Sequence, residues 1–103
     1  MPKILVLPDD FEINAEVNAT IMQSAVDAGY YWPTTCGGQG ICTTCACVIE
    51  DGSDSLAAMG RAERRTLAEE RGEAALSSGR VRLACQARVH GDVTVTKRGV
   101  RRD

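Results

Sequence analysis

The order of apolar and polar positions sets the first expectations. Residues 3–7, KILVL, read as a strand, and Pro8, Asp9 and Asp10 supply turn chemistry after it. Residues 11–17, FEINAEV, alternate apolar and polar, with Phe11, Ile13, Ala15 and Val17 on one face. That period of two predicts a half-buried strand, close enough to the first to pair with it as a hairpin. Thr20 suits a helix N-cap, Ile21, Met22, Ala25 and Val26 recur at helical spacing, and Gly29 is a C-terminal stop. ACVIE at 46–50 is a short strand closed by Asp51 and Gly52. RAERRTLAEER at 61–71 is rich in helix formers. Only Ala62, Leu67 and Ala68 give that helix an apolar side, so it should lie on the surface. Gly72 interrupts it, and EAALSS can add another turn. RVRLACQARV then carries Cys85, and DVTVT at 92–96 alternates as a last strand after a turn at Gly91. A hairpin followed by a helix packed across a small mixed sheet predicts an α+β fold.

Composition narrows the class. A chain of 103 residues argues for one domain. With only 4% aromatics, its core must come from Val, Ile, Leu, Ala and Met. The opening MPKILVLPDDFE is no secretory leader, because its apolar run is short and acids follow at once. No stretch approaches a membrane span. The expectation is a cytoplasmic protein, in a reducing compartment where structural disulfides are rare. Charge is uneven: residues 97–103 hold four basic residues and one acid, inside a chain whose net charge is −2. An acidic body with a short basic end is a poor nucleic-acid binder. The division expected is a domain over 1–96 followed by a solvated, mobile basic tail over 97–103, since chain ends are often disordered.

The cysteines carry the chemistry. CGGQGICTTCAC at 36–47 holds four of the five, and the fifth is Cys85. Five residues separate Cys36 from Cys42, two separate Cys42 from Cys45, and thirty-nine separate Cys45 from Cys85. An odd number of thiols fits disulfide pairing badly. Structural zinc favours two short-spaced pairs, and only Cys42 and Cys45 form one. A redox dithiol leaves Cys36 and Cys85 unexplained. Three cysteines on one loop plus a distant fourth is the pattern of a [2Fe–2S] site. Such a cluster is dianionic, so donors must surround it. Gly37, Gly38 and Gly40 let a loop wrap closely enough to aim backbone N–H groups at sulfur. Thr43 and Thr44 add hydroxyls or serve as plain spacers. Cys47 follows Cys45 by two positions, where the chain is already extended and leaving the loop, and a single residue between two ligands is cramped. The expected ligands are therefore Cys36, Cys42, Cys45 and Cys85, with Cys47 a buried free thiol.

Over nearly its whole length the chain resembles the [2Fe–2S] ferredoxins. The five-residue gap is similar to the adrenodoxin-like branch, and CTTCACVIEDGSDSL to the ferredoxins of bacterial iron–sulfur assembly. RLACQARV resembles the segment of the fourth ligand. The resemblance implies a β-grasp fold, a mixed sheet crossed by one main helix. It also implies a soluble, monomeric one-electron carrier, not an enzyme. Its cluster would have a low potential, near about −400 mV as in plant-type clusters. The implied donor is a flavin-dependent NAD(P)H ferredoxin reductase. The implied acceptor is an oxygenase such as a haem monooxygenase. Alternative roles are electron supply to iron–sulfur assembly and a redox-sensing cluster module. Two departures stand out. Adrenodoxin-like proteins carry an acidic reductase-docking helix, whereas here Arg61, Arg64, Arg65 and Arg71 balance Glu63, Glu69, Glu70 and Glu73. YYWPTTC is closer to a plant-type lead-in.

Few other residues invite a role. Trp32 either shields the cluster, meets a partner, or packs the loop onto the body. Of Tyr30 and Tyr31, at least one should be exposed. His90 is expected in an exposed turn. GGQG lacks the lysine of a phosphate loop.

Overall fold

A computed structural model of the chain describes residues 2–33, 46–74 and 80–102. Strands β1 (Lys3–Leu7) and β2 (Phe11–Asn14) form the expected hairpin, with Ile4 opposite Ile13 and Val6 opposite Phe11. Helix α1 follows (Ile21–Asp27), then β3 (Tyr30–Tyr31), β4 (Ala46–Asp51), a 3₁₀ turn at Ser53–Ser55, α2 (Arg61–Arg71), β5 (Val81–Leu83), β6 (Val93–Thr96) and β7 (Arg101–Arg102). Five strands make one mixed sheet in the order β2-β1-β6-β4-β5. Only β1 and β6 run parallel there, which requires the chain to cross over between them. β3 and β7 form a separate two-stranded ribbon.

The alternating strands place one face in the core. Ile4, Val6, Ile13, Ile49, Val93 and Val95 are all buried, and Ile21, Ala25, Leu67, Leu83 and Val89 join them. Each large aliphatic side chain buried this way contributes about 1.5–3 kcal/mol.

The structure corrects two apolar stripes. β2 ends at Asn14, the chain turns at Asn18 (φ 76°), and Val17 is turned out to solvent at 64% exposure, while Ala15 stays buried. On α1 the buried stripe is Ile21, Ser24 and Ala25, and Val26 is half exposed. Ser24 is tolerated inside because its hydroxyl donates to the Thr20 carbonyl at 2.8 Å. Thr20 is the N-cap: its hydroxyl oxygen accepts from the Gln23 N–H at 3.1 Å. Gly29, at φ 89°, takes the left-handed conformation that ends the helix.

Helix α2 has the expected bounds but a different inner side. Glu63, Thr66 and Leu67 are buried, and Ala62 is exposed. A glutamate inside needs a partner, and Arg82 of β5 supplies it. Arg82 Nε and Nη2 donate to the two Glu63 carboxylate oxygens at 2.7 and 3.1 Å. The Leu83 N–H adds a third bond at 3.0 Å. The pair pins α2 to the strand that leads to Cys85. Among the described residues no helix is long and apolar enough to cross a membrane.

Candidate metal centre

Cys85 sits in the turn that follows β5, and three parts of the chain hold that turn. Within it, the Gln86 and Ala87 N–H groups both donate to the Leu83 carbonyl at 2.9 Å. From one side comes the first turn of α1. Its leading N–H groups have no partner inside the helix. Ile21 N–H donates to the Ala87 carbonyl at 3.0 Å and Met22 N–H to the Ala84 carbonyl at 2.9 Å. The helix thus spends its orphan donors on the two residues that flank Cys85 and Gln86. Just beyond, Asn18 N–H donates to Val89, Val89 N–H donates to Ala19, and the Arg88 guanidinium donates to the Asn18 carbonyl. From the other side, Ala57 N–H donates to the Arg88 carbonyl and Leu56 bridges to Val89. At the β5 end, Glu63 holds the Leu83 N–H.

The thiol itself is buried and unbridged. The Gln86 side-chain amide lies 3.7 Å from Cys85 Sγ, within reach of an N–H···S contact. A buried, donor-supplied thiol on a clamped turn is a fit place for one end of an anionic cluster. Cys36, Cys42 and Cys45, with Gly37, Gly38, Gly40, Thr43 and Thr44, lie outside the described residues.

Cys47 differs in kind. It is the second residue of β4, opposite Arg82 of β5, and part of the hydrophobic core. Burial pushes its thiol up to about 12, with Lys97 and Arg82 pulling it down and Glu63 pushing it further up. The expectation of a buried free thiol holds for its placement.

Trp32 is buried at 2% exposure, so it packs against the body and offers no docking surface. Tyr30 is buried and Tyr31 is 40% exposed, as the sequence suggested for one of the two. His90 is exposed, with its backbone N–H on the Ser55 carbonyl at 2.6 Å. An open groove of about 470 Å³ between β2 and α1 is lined by Glu12, Glu16, Asp27 and Tyr30 among others, and neither described cysteine lines it.

The features the sequence reasoning missed are the Glu63–Arg82 pair and the donation by α1 to the cysteine turn. A hint existed for the second: the capping threonine at position 20 places two free helical N–H groups at positions 21 and 22.

Residues 4–90 match the family model described as the 2Fe-2S iron–sulfur cluster binding domain. The chain is 37% identical over 91 residues to 2Fe-2S ferredoxin-5 of Aquifex aeolicus, covering 88% of this chain and 91% of that one. The chain belongs to the [2Fe–2S] ferredoxin family. Among solved structures, the ISC-like [2Fe-2S] ferredoxin FdxB of Pseudomonas putida superposes with a TM-score of 0.72 at 29% identity, over 94% of this chain and 92% of that chain. The cytochrome P450 reductase GcoB of Amycolatopsis superposes with a TM-score of 0.76 at 27% identity. All of this ferredoxin matches 28% of that longer chain. The fold is accordingly the β-grasp of these ferredoxins, the cofactor is a [2Fe–2S] cluster, and the role is that of a small electron carrier.

Proposed function

We propose that this ferredoxin passes single electrons from an NAD(P)H-dependent flavoprotein reductase to an oxygenase such as a haem monooxygenase. Its cluster is held by Cys36, Cys42, Cys45 and Cys85, and Cys47 takes no part. The observation that carries the partner reading is the likeness of the whole chain to one portion of a cytochrome P450 reductase. In that protein a module of this kind belongs to an oxygenase's electron supply. When bound, the cluster supplies reversible one-electron exchange without bond making. What the described part of the chain adds is a fixed, buried position for Cys85. The clamped turn at residues 83–89 keeps Cys85 in place during the change of charge, and the core packing of Cys47 supports its role as a bystander.

The charge of α2 bears on the donor. With Glu63 buried against Arg82, the exposed side chains are Arg61, Arg64, Arg65 and Arg71 against Glu69, Glu70 and Glu73. That surface is weakly basic, so it does not suit a reductase whose docking face is itself basic. We place the carrier in the cytoplasm as a single-chain, monomeric protein.

A second reading, electron supply to iron–sulfur assembly, is favoured by the likeness to the ISC-like ferredoxin. Reconstitution separates the two. Reduced protein is mixed either with a haem monooxygenase and its substrate or with a cysteine desulfurase and a scaffold protein. Faster product formation in the first mixture alone supports the proposal. Cluster formation on the scaffold alone overturns it.

A further inference from the structure

The basic end of the chain is built into the fold. Val100 is buried, Gly99 takes φ 90° against Pro33, and a Cβ on Gly99 would stand 3.1 Å from the Pro33 ring. This turn lets β7 pair antiparallel with β3, with Arg101 opposite Tyr31 and Arg102 opposite Tyr30. The Arg101 guanidinium lies 4.8 Å from the centre of the Tyr31 ring, and that of Arg102 lies 5.7 Å from the Tyr30 ring. Tyr30 is fixed in turn by Phe11, ring to ring at 4.9 Å.

Both arginines are exposed, and neither makes an ion pair with a described carboxylate. Stacking on an aromatic ring orders a guanidinium while leaving its N–H edge open. An ordered, open fork of this kind matches a carboxylate in two-point geometry. The placement also concerns the cluster. Tyr31 precedes Cys36 by five residues, and five residues reach at most about 16–18 Å. The ribbon is therefore joined to Cys36 by a short length of chain.

The molecule as a whole is net negative at −2, and residues 97–103 hold four of its twelve Lys and Arg. An acidic partner would be repelled by most of this surface and drawn to this end of it. We propose that the β3–β7 ribbon, centred on Arg101 stacked on Tyr31, is the docking surface for an acidic redox protein. This deepens the electron-carrier reading and rests on it: the ribbon orients the partner, and the cluster exchanges the electron. Opposite charge at such a surface acts mainly on the rate of encounter.

The test uses two stand-in acceptors of opposite charge, acidic plastocyanin and basic cytochrome c, mixed with dithionite-reduced protein in a stopped-flow instrument at low salt. Two variants are compared with the wild type: Arg101→Glu/Arg102→Glu, and the milder Arg101→Gln. Unchanged visible absorbance establishes that each retains its cluster. The proposal expects the double variant to reduce plastocyanin on the order of tenfold more slowly, with Arg101→Gln slowed less. It expects neither variant to be slowed toward cytochrome c. Equal slowing toward both acceptors, or no slowing toward plastocyanin, overturns the docking assignment and leaves the carrier reading intact. Wild-type protein that reduces neither acceptor overturns the carrier reading itself. Binding of duplex DNA that is lost in the double variant would make the ribbon a general polyanion site and would also overturn the assignment.

Discussion

Cys85 and Cys47 are both buried and both unbridged, yet their surroundings differ. Cys85 lies on a turn whose backbone is held from outside by α1, by residues 55–57 and, through Leu83, by Glu63. Cys47 lies inside a strand whose backbone is satisfied by β5 and whose side chain is packed among hydrophobic residues. Burial alone does not mark a ligand. A thiol on a clamped turn can keep a fixed direction, here with the Gln86 side-chain amide 3.7 Å from its sulfur. A thiol within a ladder is one more small hydrophobe.

The contrast can be broken at the clamp. Glu63→Ala leaves Arg82 buried and unpaired and frees the Leu83 N–H, a loss of about 3–5 kcal/mol. On heating, its visible absorbance should bleach well below the wild-type temperature. Glu63→Gln should recover part of the loss, because it keeps an acceptor for Leu83. Next in size is Cys47→Ser, which places a hydroxyl in the core for about 1–3 kcal/mol if the hydroxyl goes unpaired. Its melting temperature should fall while its absorbance at low temperature matches the wild type. Smallest is Thr20→Ala, which removes the cap of α1 for about 1 kcal/mol. Because α1 donates to Ala84 and Ala87, this change should also speed cluster loss to an added iron chelator. A change of equal stability cost at Cys47 should affect that rate less.

Much of this was legible in the sequence where the signal is local. Lys3–Leu7 and Arg61–Arg71 fall where the pattern put them, Thr20 caps as expected, and the chain is the α+β protein its alternations implied. What was not legible depends on partners distant in the chain. Glu63 reads as a solvated helix residue until Arg82, 19 positions later, is placed beneath it. Val17 continues an alternation that the turn at Asn18 ends. The ribbon joins two pairs of residues, Tyr30–Tyr31 and Arg101–Arg102, too short to show any period. Residues 97–103 read from composition as a solvated appendage, and the pairing of Arg101 and Arg102 with β3 depends on a turn at Gly99 and a buried Val100. The cysteine spacing pointed to the [2Fe–2S] family to which the chain belongs, while three of the four proposed ligands lie outside the described residues.

The central claim is that Cys85 holds the cluster and Cys47 does not. Iron and acid-labile sulfide, measured side by side in purified Cys85→Ser and Cys47→Ser, test it directly. The account predicts a cluster content equal to wild type in Cys47→Ser and close to none in Cys85→Ser. Equal loss in both variants, or retention in Cys85→Ser, would contradict it.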